Sequence, residues 1–187
     1  MKNNSLLLFC VAIFLCFCFA QCKKTKLPIA LTELEKLPPI TQTGANTFGC
    51  LVDGVAWLPN GSKPQTGGPN IQVYVDPTFQ GGRFSITGHQ YNNYQSKLNF
   101  GSSNCTSGGS FDISQSANGI GYTRFLNNIN TCEFSSFDAG TFRKGIFIIT
   151  RYDLSNGIFS GTFDFTIKSQ ACGDTIRITN GRFDVKL

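Results

Sequence analysis

"GIFSGTFDFTIKS", residues 157–169, decides the fold. Phe159, Gly161, Phe163, Phe165 and Ile167 share one parity, and Ser160, Thr162, Asp164, Thr166 and Lys168 share the other. A period of two over this length predicts a strand with one dry face and one wet face. Upstream, "GIFIITRYD" (145–153) is apolar on both parities and predicts a central strand covered on both sides. Downstream, "DTIRITNGRFDVKL" (174–187) predicts a hairpin turning at Asn180-Gly181, with Ile176, Ile178, Phe183, Val185 and, at its end, Leu187 inward.

The same pattern continues toward the N-terminus. "TFGCLVDGVAWLP" (47–59) predicts a hairpin with Asp53-Gly54 at its turn. In "IQVYV" (71–75), Ile71, Val73 and Val75 alternate with Gln72 and Tyr74, and in "RFSITGH" (83–89) Phe84 and Ile86 alternate with polar residues. "SKLNFGS", "GSFDIS" and "GIGYTRFLN" add shorter strands between glycine- and serine-rich turns. About nine or ten short strands without a long helix predict an all-β chain, an antiparallel β-sandwich over residues 47–187. Of 18 phenylalanines, 14 lie beyond residue 21, against one Trp and five Tyr, so the aromatic content is expected mainly in the core.

Residues 1–46 follow another logic. Lys2 is the only charge before Lys23, and Leu6 to Ala20 is almost wholly apolar. A membrane-spanning helix needs about 20 apolar residues, whereas a secretory signal needs a basic start and roughly 7–15. Residues 1–21 are therefore read as a cleaved signal. The run ends "FLCFCFAQCKKTK" (14–26), which resembles a bacterial lipobox and implies acylation at Cys22, with Cys16 and Cys18 as rivals inside the run. Several acyl chains would hold the chain firmly on a membrane, aided by Lys23, Lys24 and Lys26 against anionic head groups. Residues 22–46, with Pro28, Pro38 and Pro39, read as a lipidated stalk in which "LTELEKL" forms at most a turn or two of helix.

The formal net charge of +5 sits largely at this end. Residues 1–40 hold five lysines against two glutamates; the remaining body holds eleven basic and nine acidic residues. A body so balanced carries no nucleic-acid footprint. Four cysteines stay in the exported domain, Cys50, Cys105, Cys132 and Cys172, an even number that suggests two disulfides. Three pairings are open; Cys50–Cys172 with Cys105–Cys132 is preferred. Their scattered spacing, with no C-x-x-C pair, argues against zinc, and no metal or cofactor is expected.

His89 is the only histidine, on the polar parity of its strand, and is expected to be solvated. No G-x-S-x-G, H-E-x-x-H or P-loop motif occurs, so the chain is read as non-enzymatic. Asp112, Asp164 and Asp184 each follow a phenylalanine and are placed on the wet face. A glycan hydrolase, the third reading, needs two carboxylates about 5–10 Å apart. The one candidate ligand surface is His89, Tyr91, Asn92 and Tyr94, an amide-aromatic loop suited to a glycan, with a plain polar turn as the bland alternative. Asp174-Thr175-Ile176 resembles a short O-glycan acceptor pattern, against which a strand position counts.

"LPPITQTGANTFGCLVDGVAWLP", "ITNGRFDVKL" and the "CKK" after the signal resemble a family of small uncharacterised Bacteroidota lipoproteins. The resemblance covers about a quarter of the chain and implies a lipid-anchored β domain at the cell envelope, without an activity to carry over. It points to an outer-membrane lipoprotein facing either the periplasm or the exterior. Its partners would be the membrane, through the lipid, and a glycan or an envelope protein.

Overall fold

The computed structural model describes residues 30–79, 81–92, 96–114, 122–127, 132–138 and 140–187. Cys22, Cys16, Cys18 and Tyr94 lie outside the described residues. Among those described, the strands are β1 (Thr47–Val52), β2 (Val55–Trp57), β3 (Ile71–Asp76), β4 (Arg83–Gln90), β5 (Ser96–Ser102), β6 (Gly109–Asp112), β7 (Tyr122–Asn127), β8 (Cys132–Ser135), β9 (Arg143–Asp153), β10 (Ile158–Lys168) and β11 (Thr175–Lys186). They form two antiparallel sheets, one of six strands ordered β2-β1-β11-β10-β9-β6 and one of five ordered β3-β4-β5-β7-β8. The all-β sandwich is as the alternation predicts.

Period-two patterning places the core between the sheets. Phe159, Phe163, Phe165 and Ile167 of β10 are buried, while Asp164 and Lys168 are exposed. Phe84 and Ile86 enter from β4, Leu98 and Phe100 from β5, each at 0 % exposure. Eleven phenylalanines are buried among the described residues; Phe79, Phe137 and Phe142 are exposed. The Asp53-Gly54 turn forms as expected: Asp53 has φ 48° and Gly54 φ 84°, the left-handed pair of a tight hairpin, and Val52 pairs with Val55.

Three strand-level expectations need correction. Asn180-Gly181 is not a turn but a bulge inside the continuous β11. Pairing slips by one residue there against both β10 and β1, and Asn180 takes φ 52°. The Asn180 N–H donates to Asp164 Oδ1 at 2.9 Å. Gly181 serves a second need, since a Cβ there would lie 2.3 Å from the Phe163 ring. β9 is not covered on both sides: Phe147 and Ile149 point inward, but Ile146 and Ile148 are 39 % and 40 % exposed. Asp184 and Ser160 are not on a wet face either, at 1 % and 0 % exposure.

What covers them is the segment expected to end the stalk. Thr32 and Glu35 form a reciprocal cap: the Glu35 N–H donates to Thr32 Oγ1 at 3.3 Å and the Thr32 N–H to Glu35 Oε2 at 2.8 Å. The turn stops before Pro38-Pro39. Glu33 Oε2 accepts the Ala56 N–H at 2.9 Å, capping the exposed edge of β2. Leu37 is buried, Arg182 donates to the Pro38 carbonyl, and Arg151 donates to the Gln42 carbonyl at 2.6 Å. Residues 41–45 then close over Asp184. The unit Leu31–Leu187 therefore includes this strap.

The disulfide pairing also differs from expectation. Cys132 bonds to Cys172, and Cys50 and Cys105 are free and buried. Cys50 lies on β1 opposite Trp57 in the core, and the Cys105 thiol donates to the Ser107 carbonyl at 3.3 Å. Burial pushes the Cys105 thiol up to about 11 and Cys50 further still. The bridge joins β8, an edge strand of one sheet, to the β10–β11 loop of the other. Spacing alone carries no sheet assignment, so the pairing was open in the sequence. Closing a 40-residue separation contributes about 2–4 kcal/mol. A Cys132→Ser, Cys172→Ser double variant is expected to melt about 10 °C lower by calorimetry; an unchanged melt would show that the bridge adds nothing to stability.

Candidate ligand cleft

The candidate site lies where the 58–70 loop is sewn onto the end of β4. The Asn60 N–H donates to the His89 carbonyl at 2.9 Å and the Tyr91 N–H to the Asn60 carbonyl at 3.0 Å. The His89 N–H donates to the Asn70 carbonyl at 2.8 Å. Gly61, with φ 69°, allows this close approach: a Cβ there would sit 2.2 Å from Asn92 Oδ1. The Asn92 N–H donates to Asn60 Oδ1 at 3.2 Å.

Below the loop, polar groups are fixed in series. The Trp57 indole N–H donates to Ser96 Oγ at 2.9 Å, Ser96 Oγ donates to Gln90 Oε1 at 2.8 Å, and Gln90 Nε2 donates to the Leu58 carbonyl at 3.1 Å. Trp57 and Ser96 are buried, so each bond replaces lost water contacts. The pairing of β4 with β5 sets His89 opposite Lys97.

These elements enclose a cleft of about 280 Å³ lined by Lys63, Pro64, His89, Tyr91, Lys97 and Leu126, with Gln90 and Ser96 behind. His89 stacks on Tyr91, ring centroids 4.9 Å apart and planes 10° from parallel. His89 is half-buried rather than solvated, and its buried Nε2 has no hydrogen-bond partner. Burial first, then the charges of Lys97 and Lys63, hold its pKa below the ordinary histidine value. Burial also pushes the Tyr91 phenol up. Neither lysine forms an ion pair among the described residues.

Of the four sequence candidates, the structure brings His89 and Tyr91 together and leaves Asn92 exposed beside them. Lys63, Pro64, Lys97 and Leu126 were not anticipated. Only Lys97 left a signal, since a short β4–β5 hairpin sets it across from His89.

Several carboxylates hold backbone and side-chain donors. Asp53 Oδ1 accepts the Arg177 N–H, Asp76 the Thr78 N–H and hydroxyl, and Asp112 the Ser114 N–H. Asp153 binds Arg151 and Asn156, and Glu133 pairs with Arg124. Among the described residues no three His, Cys, Asp or Glu side chains gather as a metal site, and no helix is long and apolar enough to cross a membrane. Asp174-Thr175-Ile176 opens β11, with Thr175 paired to Lys168. A groove of about 430 Å³ beside Asn46, Ile71 and Val185 has Lys186 as its one charged lining residue, and a hollow of about 240 Å³ lies by the disulfide. No family model, curated protein or solved structure matches the chain.

Proposed function

We propose that the chain is an outer-membrane lipoprotein, acylated at Cys22, whose β-sandwich does non-catalytic binding or structural work at the cell envelope. The observation that carries this reading is the Cys132–Cys172 bridge, since disulfides belong to oxidising, exported compartments. The apolar run 6–20, Cys22 and the lysines after it support the anchor. With the domain packed from Leu31 onward, only residues 23–30 separate the acylated cysteine from it.

The test is fractionation of a Cys22→Ser variant. Loss of the acylation site is expected to move the protein from the membrane fraction to the soluble one, and retention in the membrane would sink the reading. Protease shaving of intact cells, against a lysed control, then reads which face the domain occupies. A second reading, carbohydrate binding, is favoured by the cleft at His89 and Tyr91.

A further inference from the structure

We propose that the cleft between the 58–70 loop and the β4–β5 hairpin binds an acidic sugar unit, a ring-sized hydroxylated ligand bearing one carboxylate or sulfate. The proposal deepens the carbohydrate-binding reading and rests on it. Lys63 comes from the loop and Lys97 from β5, and both line the same cleft without a carboxylate partner among the described residues. Two like charges lining one concavity favour an anion in it. Lys63 is exposed, so the attraction is screened by salt and steers as much as it holds.

A bare anion leaves the rest of the lining unexplained. His89 and Tyr91 line the cleft as a stacked pair of rings, planes 10° from parallel. Burial and the charges of Lys97 and Lys63 push His89 toward its neutral form, so it adds no third positive charge to the cleft. Pro64, Leu126 and the Tyr91 ring supply an apolar wall for the C–H face of a sugar. The volume of about 280 Å³ falls just below the roughly 300–1,000 Å³ of ordinary small-molecule pockets. It takes one ring, and the open side leaves room for a chain to continue.

Trp57 makes a built-in reporter. It is the only tryptophan in the chain, and its indole N–H bonds to Ser96 at the back of the cleft. The full chain in detergent is titrated with glucuronate, N-acetylglucosamine 6-sulfate, glucose and sodium sulfate, reading fluorescence and, independently of the indole, calorimetric heat. Saturable binding of an acidic sugar with a Kd of about 1 mM or tighter is expected. Glucose should bind at least about ten-fold more weakly, and affinity for the acidic sugar should fall with added salt. A Lys63→Met, Lys97→Met variant that melts like the parent should lose about ten-fold or more. Binding of sulfate as tightly as of the sugars would mean an adventitious ion only and would overturn the proposal. So would no saturation by either acidic sugar, or undiminished binding by the double lysine variant. None of these outcomes depends on membrane attachment, so they are separable from the Cys22→Ser result, and equal binding of glucose would keep the carbohydrate reading while removing the acidic one.

Discussion

An Asp184→Asn variant is expected to melt at least about 10 °C below the parent chain. Asp184 is 1 % exposed and acts solely as an acceptor. Its Oδ2 accepts from Thr41 Oγ1 at 2.6 Å, from the Thr43 N–H at 2.9 Å, and at 3.2 Å from both Thr43 Oγ1 and the Ala45 N–H. Its Oδ1 accepts from the Gly44 N–H at 2.8 Å and Ser160 Oγ at 2.7 Å. Asparagine puts an NH₂ where one of these oxygens stood, so a donor faces donors. A hydrogen bond to a charged group is worth about 1.5–3 kcal/mol, and a buried donor left without an acceptor costs about 1–3 kcal/mol more.

The effect carries a pH signature. Burial alone would push the Asp184 carboxyl up, but bonds from Thr41, Ser160, Thr43 and Gly44 outweigh it and hold the pKa far below the ordinary range. An unfolded aspartate titrates near 3.9, and each pH unit by which the folded value lies below that is worth about 1.36 kcal/mol. The Asp184 contribution is therefore complete above about pH 5 and is lost as the pH falls toward the folded-state value. Urea unfolding between pH 7 and pH 2.5 should show the parent weakening faster than the variant, so that their gap narrows. A gap constant with pH would contradict this account. Asp153, held down to about 2 by Arg151 and Asn156, titrates in the same window in both proteins and cancels in the comparison.

Phe100→Ala is the second large effect, about 3–5 kcal/mol lost. Phe100 stands on β5 in the five-stranded sheet, and its ring reaches five others from the opposite sheet. Those rings are Phe163 at 4.6 Å, Phe165 at 5.6 Å, Phe147 and Phe183 at 5.7 Å, and Phe48 at 6.1 Å. They belong to four strands, β1, β9, β10 and β11, so no single shift of backbone fills the space. The urea midpoint should fall with the slope unchanged. Phe79→Ala, at a site 42 % exposed, is the control and should stay within about 0.5 kcal/mol. A Phe100→Ala loss no larger than the control would mean that the core closes over the void.

The sequence was most legible where local chemistry and burial agree. The alternation of β10, the Asp53-Gly54 turn and the phenylalanine core all read correctly because each depends on neighbours in the chain. Asn180-Gly181 misled because a left-handed asparagine suits a bulge as well as a turn. What chose between them was the Phe163 ring, 18 residues before Gly181. Asp184 and Ser160 fit a wet parity and are dry because residues 41–45 cover them, a contact spanning about 140 residues that no pattern encodes. In the cleft, His89 and Tyr91 stood out by composition, but Lys63 joins them only through the folding of its loop. The partner of Cys132 depended likewise on which sheet each cysteine joins.

The strap has a mechanical consequence. A pull on the chain ahead of Leu31 is resisted where residues 41–45 grip Asp184, and Asp184 lies on β11, flanked by β1 and β10 rather than at the rim of its sheet. A tug there meets the cluster of bonds to one carboxylate before it reaches the pairing of β1 with β11. Resistance to such forced opening follows the unfolding rate rather than equilibrium stability. A tethered domain built this way would keep its shape under drag, with Asp184 as the rivet.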